Sequence, residues 1–246
     1  MDRMLYVAMS GAKQNMLAQA HNANNMANVS TTGFKSDLAA ARSMPLFGDG
    51  HPTRVFSMTE RAGTNFNSGP IQTTGRALDI AVKNDGFIAV QGKDGNEAYT
   101  RVGSLNVSAT GVLETAQGLV VLGDEGPISI PQATRIEIGA DGTVSTISQA
   151  QGAGIVDVVG RIKLVNPDLK TVTKGNDGLF HLDNDEIADA DASVQVESGA
   201  LEGSNVNIAA EMVNMIELAR QFEMQVKMMK VAEKNDEYAS RLLTMA

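Results

Sequence analysis

Ile208-Ala-Ala-Glu211-Met212-Val-Asn-Met215-Ile-Glu-Leu-Ala219-Arg-Gln-Phe222-Glu-Met-Gln-Val226-Lys-Met-Met229 sets an apolar side chain alternately four and three residues apart over 22 residues. Ile208, Met212, Met215, Ala219, Phe222, Val226 and Met229 therefore form one uninterrupted stripe, the period of a helix that packs against another helix. Ser204, Asn205 and Asn207 supply caps ahead of it, and Glu211 sits near the positive N-terminal end. Glu223 and Lys227 make a favourably oriented i,i+4 pair. Beyond Met229 the register breaks at Glu233 and Asp236, then resumes displaced through Ala232, Ala239, Leu242 and Leu243. The last turns are therefore expected to meet a different neighbour.

The opposite end repeats the pattern. Leu5, Met9, Ala12, Met16, Gln19, Ala23 and Met26 alternate the same spacings, and all but Gln19 are apolar. Asn28, Ser30, Thr31, Thr32 and Gly33 then stop the helix, because their side chains bond to nearby backbone and Gly accepts positive φ. Neither stripe is broad enough to hold a helix alone. The two terminal helices are expected to pair antiparallel or to stack, and to gain order when copies assemble. Asn22, Asn24, Asn25 and Asn28 weaken the first helix. Either buried amides fix register there, or the helix end frays.

Between the ends the period changes. Short apolar runs alternate with turn signals at Asn84-Asp85-Gly86, Asp94-Gly95, Thr110-Gly111, Asp141-Gly142 and Asn176-Asp177-Gly178. Strands are predicted over 78–82, 87–90, 98–107, 119–122, 135–138, 156–165 and 179–181, too closely spaced for crossover helices. Residues 36–75, with Pro45, Pro52, Pro70 and weak periodicity, read as an extended connector. The fold class is thus α+β. Residues 1–35 and 203–246 form a terminal helical-bundle assembly domain, and 76–202 form an all-β, small-barrel or sandwich-like domain.

Composition excludes more than it assigns. With no Cys, disulfides, thiolate metal sites and cysteine nucleophiles are ruled out. Residues 1–35 and 206–246 carry eight basic and seven acidic side chains, which leaves the ends together at +1 and puts −10 on the middle of a chain whose net charge is −9. Such a balance disfavours nucleic acid. No apolar run approaches a membrane span, so no membrane insertion is expected, and the first residues predict no cleavable signal peptide. Gly86 to Gly92-Lys93 fails as a phosphate loop, because five residues intervene and Asp94 follows the Lys. Gly152-Ala-Gly154 lacks the third Gly of a dinucleotide fingerprint, with Asp157 in its place. Asp183, Asp185, Glu186, Asp189 and Asp191 miss the EF-hand pattern at Ile187 and Ala188. His21, His51 and His181 have no metal-ligand spacing. No catalytic, cofactor-binding or metal-binding residue is predicted, and no cofactor.

Ala23-Asn24-Asn25-Met26-Ala27-Asn28-Val29-Ser30-Thr31-Thr32-Gly33-Phe34-Lys35 resembles the N-terminal signature of the flagellar basal-body rod family, the axial rod and hook proteins. Leu201-Glu202-Gly203-Ser204-Asn205-Val206-Asn207, Glu211-Met212, Met215-Ile216 and Arg220-Gln221-Phe222-Glu223 resemble its C-terminal counterpart. Ala98-Tyr99-Thr100-Arg101-Val102-Gly103-Ser104 resembles an internal element of the same family, with Val102 where a polar residue is common. Met1-Asp2-Arg3, Arg42-Ser43-Met44-Pro45, Arg76-Ala77-Leu78-Asp79 and Phe222–Lys227 resemble the proximal-rod members more than the distal-rod or hook members.

The resemblance implies a structural, non-enzymatic subunit of the rod in the periplasm, exported by the flagellar type III apparatus without signal-peptide cleavage. Its partners would be copies of itself and the other rod proteins, joined by a tube of terminal helices that transmits torque. Stripes and motifs together nominate as subunit-interface residues Leu5, Met9, Ala12, Met16, Ala23, Asn24, Asn25, Met26, Asn28, Gly33 and Phe34 at one end. At the other they nominate Asn205, Met212, Met215, Ala219, Phe222, Val226, Met229, Leu242 and Leu243. The competing readings are an enzyme or carbohydrate binder with helical appendages and, within the family, a distal-rod or hook subunit.

Overall fold

The computed structural model describes residues 3–47, 55–131, 135–147, 156–182 and 186–244, and shows an α+β chain with one helix near each end and a series of small sheets between them in sequence. Two compact units share the sequence in alternation. One contains Met1–Asn28, Asp37–Gly63 and Val206–Ala246, and the other contains Val29–Ser36 and Thr64–Asn205. The chain passes between them four times.

In the first unit, helix α1 (Arg3–Ala27) packs antiparallel on helix α2 (Ile208–Thr244). Leu5 lies across from Val226 and Met229, Gly11 faces Gln225, and Asn22 meets Glu211. Small side chains set the approach: Ala8, Ala12 and Ala232 are buried, and a Cβ on Gly11 would stand 2.9 Å from the Gln225 amide. Asp37–Pro45 and Val55–Thr64 pair as a two-stranded ribbon within the stretch read as a connector. Its first strand is exposed along nearly its whole length, so no inside-outside alternation marks it in the sequence.

The second unit is β-rich. Its largest sheet orders Leu164–Val165, Phe87–Gln91, Glu97–Thr100, Phe180–Leu182 and Val172–Lys174, all antiparallel. Both faces are covered: Ile88, Val90, Ala98 and Leu164 point into an aliphatic core, while Phe87, Ala89, Tyr99, Val165 and Phe180 form a second, aromatic cluster with Phe66. That two-sided burial accounts for the unbroken apolar run at 87–90. A three-stranded sheet joins Arg135–Ile138, Thr143–Ile147 and Val156–Arg161, and shorter pairs complete the unit. Among the described residues no sheet closes into a barrel, because strands of two to six residues turn too soon to wrap.

One turn recurs five times. In Gly92–Asn96, Ser108–Val112, Thr115–Leu119, Gly139–Thr143 and Gly175–Leu179, the first residue donates its N–H to the fifth carbonyl, and a glycine at the fourth position donates back to the first carbonyl. That glycine has φ between 79° and 86° each time, the left-handed residue of a tight hairpin. The run read as one strand at 98–107 breaks at Arg101–Ser104. There Gly103 presses on the Ile80 carbonyl so closely that a Cβ would lie 1.6 Å from its oxygen. The run at 156–165 is likewise two strands, Val156–Arg161 and Leu164–Val165.

Candidate functional site

Three signature segments meet inside the β-rich unit around one carboxylate. Glu202 accepts the Lys35 ammonium at 2.7 Å on Oε1, the Gly69 N–H at 2.9 Å on the same oxygen, and Arg101 Nη1 at 3.0 Å on Oε2. All three charged side chains are almost fully buried. Lys35 also donates to the Asn67 carbonyl at 2.9 Å, and Arg101 Nη2 to the Asn84 carbonyl at 2.8 Å, with its guanidinium 5.3 Å from the centre of the Phe87 ring. Burial pushes the Lys35 ammonium below the usual lysine range, and Glu202 offsets part of that effect. Arg101 Nε is buried with no hydrogen-bond partner.

The neighbouring motif residues hold this cluster in place. The Gly33 N–H donates to the Glu202 backbone carbonyl at 2.8 Å. Gly33 has φ +69°, and a Cβ there would lie 2.5 Å from the Arg101 backbone, so conformation and space both require glycine. Asn205 Oδ1 accepts the Ser36 N–H at 2.8 Å, and its Nδ2 donates to the Asn65 and Asn67 carbonyls at 2.7 and 2.9 Å. The Asn205 N–H donates to the Phe34 carbonyl at 3.3 Å, and Lys174 Nζ sits 3.9 Å over the Phe34 ring. Gly33, Phe34 and Asn205 thus join segments 29–36, 65–69 and 202–205 within one unit.

In the helical unit the asparagine cluster divides into two roles. Asn22 and Asn25 are buried. Asn22 Nδ2 donates to the Glu211 carbonyl at 3.0 Å and to the Glu211 carboxylate, while Asn25 Nδ2 reaches that carboxylate at 3.3 Å. Asn25 also exchanges two bonds with the Asp37 backbone, at 2.9 and 3.0 Å. These amides fix the register of α1 against α2 and against the start of the ribbon. Asn28 instead caps α1 by donating to the Asn24 carbonyl at 2.9 Å, and Asn24 is exposed.

The nominated stripe residues also separate. Ala12 is buried, and Leu5, Met26, Met215, Ala219, Phe222, Val226 and Met229 are half-buried. Ala23 and Leu242 are exposed, and Met9, Met16 and Met212 are each more than half exposed. Leu243 lies in α2, but its side chain falls outside the described residues. Sequence periodicity missed the buried Ala8, a small residue that carries little weight in an apolar stripe, whereas Ala232, which opens the displaced register, is buried. It also missed the exposed ridge of Tyr6, Leu17, Val213, Ile216, Met224, Met228 and Val231. Lys35, Arg101 and Glu202 were visible only as letters of their motifs.

Among the described residues no group of three or more His, Asp or Glu side chains could hold a metal. Asp183, Asp185 and His51 lie outside those residues. Asp191 accepts the Ser193 N–H at 2.8 Å, a turn contact that holds its carboxyl below the usual range. His181 faces Asp177 at 3.2 Å. No described helix is long and apolar enough to cross a membrane.

Three family models match the chain: "Flagella basal body rod protein" over residues 5–35, "Flagellar hook protein FlgE/F/G D1 domain" over 81–146, and "Flagellar basal body rod FlgEFG protein C-terminal" over 197–242. The flagellar basal-body rod protein FlgF of Escherichia coli K12 is 42% identical over 252 residues, covering 100% of both chains. FlgF of Salmonella typhimurium is 40% identical with the same coverage. The rod protein FlgG of Borreliella burgdorferi is 32% identical over 95% of this chain and 96% of its own.

Proposed function

Because the chain belongs to the flagellar basal-body rod protein family, we propose that it is a subunit of the proximal rod that assembles with itself and with other rod proteins through its terminal helices. It is a structural protein, not an enzyme. The observation that carries the assembly reading is the apolar ridge on the helices. Tyr6, Met9, Met16 and Leu17 of α1, with Met212, Val213, Ile216, Met224, Met228 and Val231 of α2, all face solvent in the single chain. A lone globular protein rarely leaves so much apolar surface uncovered. Copies packed side by side would bury it, and the helices would then form a wall able to carry torque. The β-rich part would stand outside that wall.

Membership of the family supports the remaining parts of the proposal. The chain would be exported by the flagellar type III apparatus without cleavage of a signal peptide and would function where the rod crosses the periplasm. Ile216→Glu tests the assembly surface. Since Ile216 is 53% exposed, the isolated variant should keep its helicity by circular dichroism. In a strain with no other copy, motility should be lost and the protein should be missing from purified basal bodies. Wild-type swimming in that strain would sink the proposal.

A further inference from the structure

Two cations and one anion are shut into the β-rich unit, and the anion arrives from far along the chain. Lys35 and Arg101 both bond to Glu202, which lies 167 residues beyond the first and 101 beyond the second. Each of the three side chains is at most 2% exposed. Before Glu202 is seated, closing the unit would bring two like charges together without water, and the Arg101 charge already disfavours the Lys35 ammonium. The same carboxylate holds the Gly69 N–H, and the Glu202 carbonyl holds the Gly33 N–H. Three segments of the β-rich unit therefore depend on one residue.

We propose that Glu202 is the closing latch of the β-rich unit: without its carboxylate, segments 29–36 and 65–69 detach from the Arg101 segment while the remainder of the unit stays folded. The segments leading out to α1 and α2 are joined inside this unit, through the Asn205 N–H to Phe34 carbonyl bond and the Ser36 N–H to Asn205 Oδ1 bond. A seated latch thus fixes both exits at once. An open one frees both.

Hydrogen exchange on the full-length chain tests this with Glu202→Gln and with Lys35→Met/Glu202→Gln. In the single variant the amides of Gly33, Ser36, Asn65 and Gly69 should exchange about 100-fold faster or more, the scale of an uncompensated buried charge. Those of Gly139, Gly142 and Thr143, whose acceptors lie within their own hairpin, should keep their parent rates. Removing the second cation in the double variant should restore at least about tenfold of the lost protection. Parent-like rates at Gly33 and Ser36 in Glu202→Gln would overturn the latch. So would hairpin amides that accelerate equally, or a double variant no better protected than the single one, including the case in which neither folds.

Discussion

Replacing Gly33 by Ala separates two costs that usually arrive together. An L residue in the left-handed region costs about 1–2 kcal/mol, and the reduced freedom of the unfolded chain returns about 0.4–1. Gly33 has φ +69°, and the new Cβ would also lie 2.5 Å from the Arg101 carbonyl carbon and oxygen and 2.7 Å from the Val102 nitrogen. Backbone on that side is pinned by the guanidinium bonds to Glu202 and Asn84, so relief must come from shifting packed chain, at about 1–3 kcal/mol. Gly75→Ala is the control, with φ +73° and nothing within 4 Å of its Cβ. We expect Gly75→Ala to cost about 1 kcal/mol or less and Gly33→Ala to cost about 1–3 kcal/mol more. Urea denaturation of both variants, followed by circular dichroism, reads the difference directly. Equal costs would mean that the Arg101 contact imposes nothing and that Gly33 is needed for its backbone angle alone.

The asparagines of α1 should differ sharply. Asn25→Ala strips the Asp37 N–H of its acceptor and should lower the stability of the helical unit by about 1–3 kcal/mol, whereas exposed Asn24→Ala should be neutral or slightly stabilising, as thermal melts at 222 nm would report. Burial pushes the Tyr99 phenol up to about 12, so the unfolded chain releases that proton first as pH rises past 10. The Tyr99 contribution to stability is therefore complete below pH 10 and falls between pH 10 and 12. Tyr99→Phe should remove that alkaline slope in denaturation, and an unchanged slope would refute the assignment.

How far the sequence could be read depended on the range of each interaction. The helices and the hairpin turns are local: a stripe at 208–229 or a glycine after Asp141 shows in a few neighbouring letters. The face that α1 turns inward was harder to read, because Ala8, Ala12, Asn22 and Asn25 pack as small or bonded groups while the larger Met9 and Met16 stay outside. The ribbon beginning at Asp37 was not legible, since exposed strands have no face to alternate. Short strands such as Ala200–Glu202, paired with Ile71–Thr73, carry too few residues for a period of two. The ionic cluster was hidden for another reason. A Lys beside Phe34 reads as a surface charge, and nothing near it in sequence points to a carboxylate at 202. The family motifs marked Gly33, Phe34 and Asn205, and their bonds within the folded chain were not legible from those letters.

Four passages of the chain between the two units carry a lesson for dissecting this protein genetically. Cutting any bond between residues 29 and 205 divides both units, because each then has residues on both sides of the break. Deleting the first 30 residues removes α1 together with the opening of segment 29–36, so loss of swimming in such a strain would not say which unit had failed. A clean excision would need two splices, one replacing 29–36 and one replacing 64–205, each with a bridge that lets the ribbon keep its place between the helices in the sequence. Phenotypes of end-truncated alleles are in that sense compound, and point substitutions are the sharper instrument.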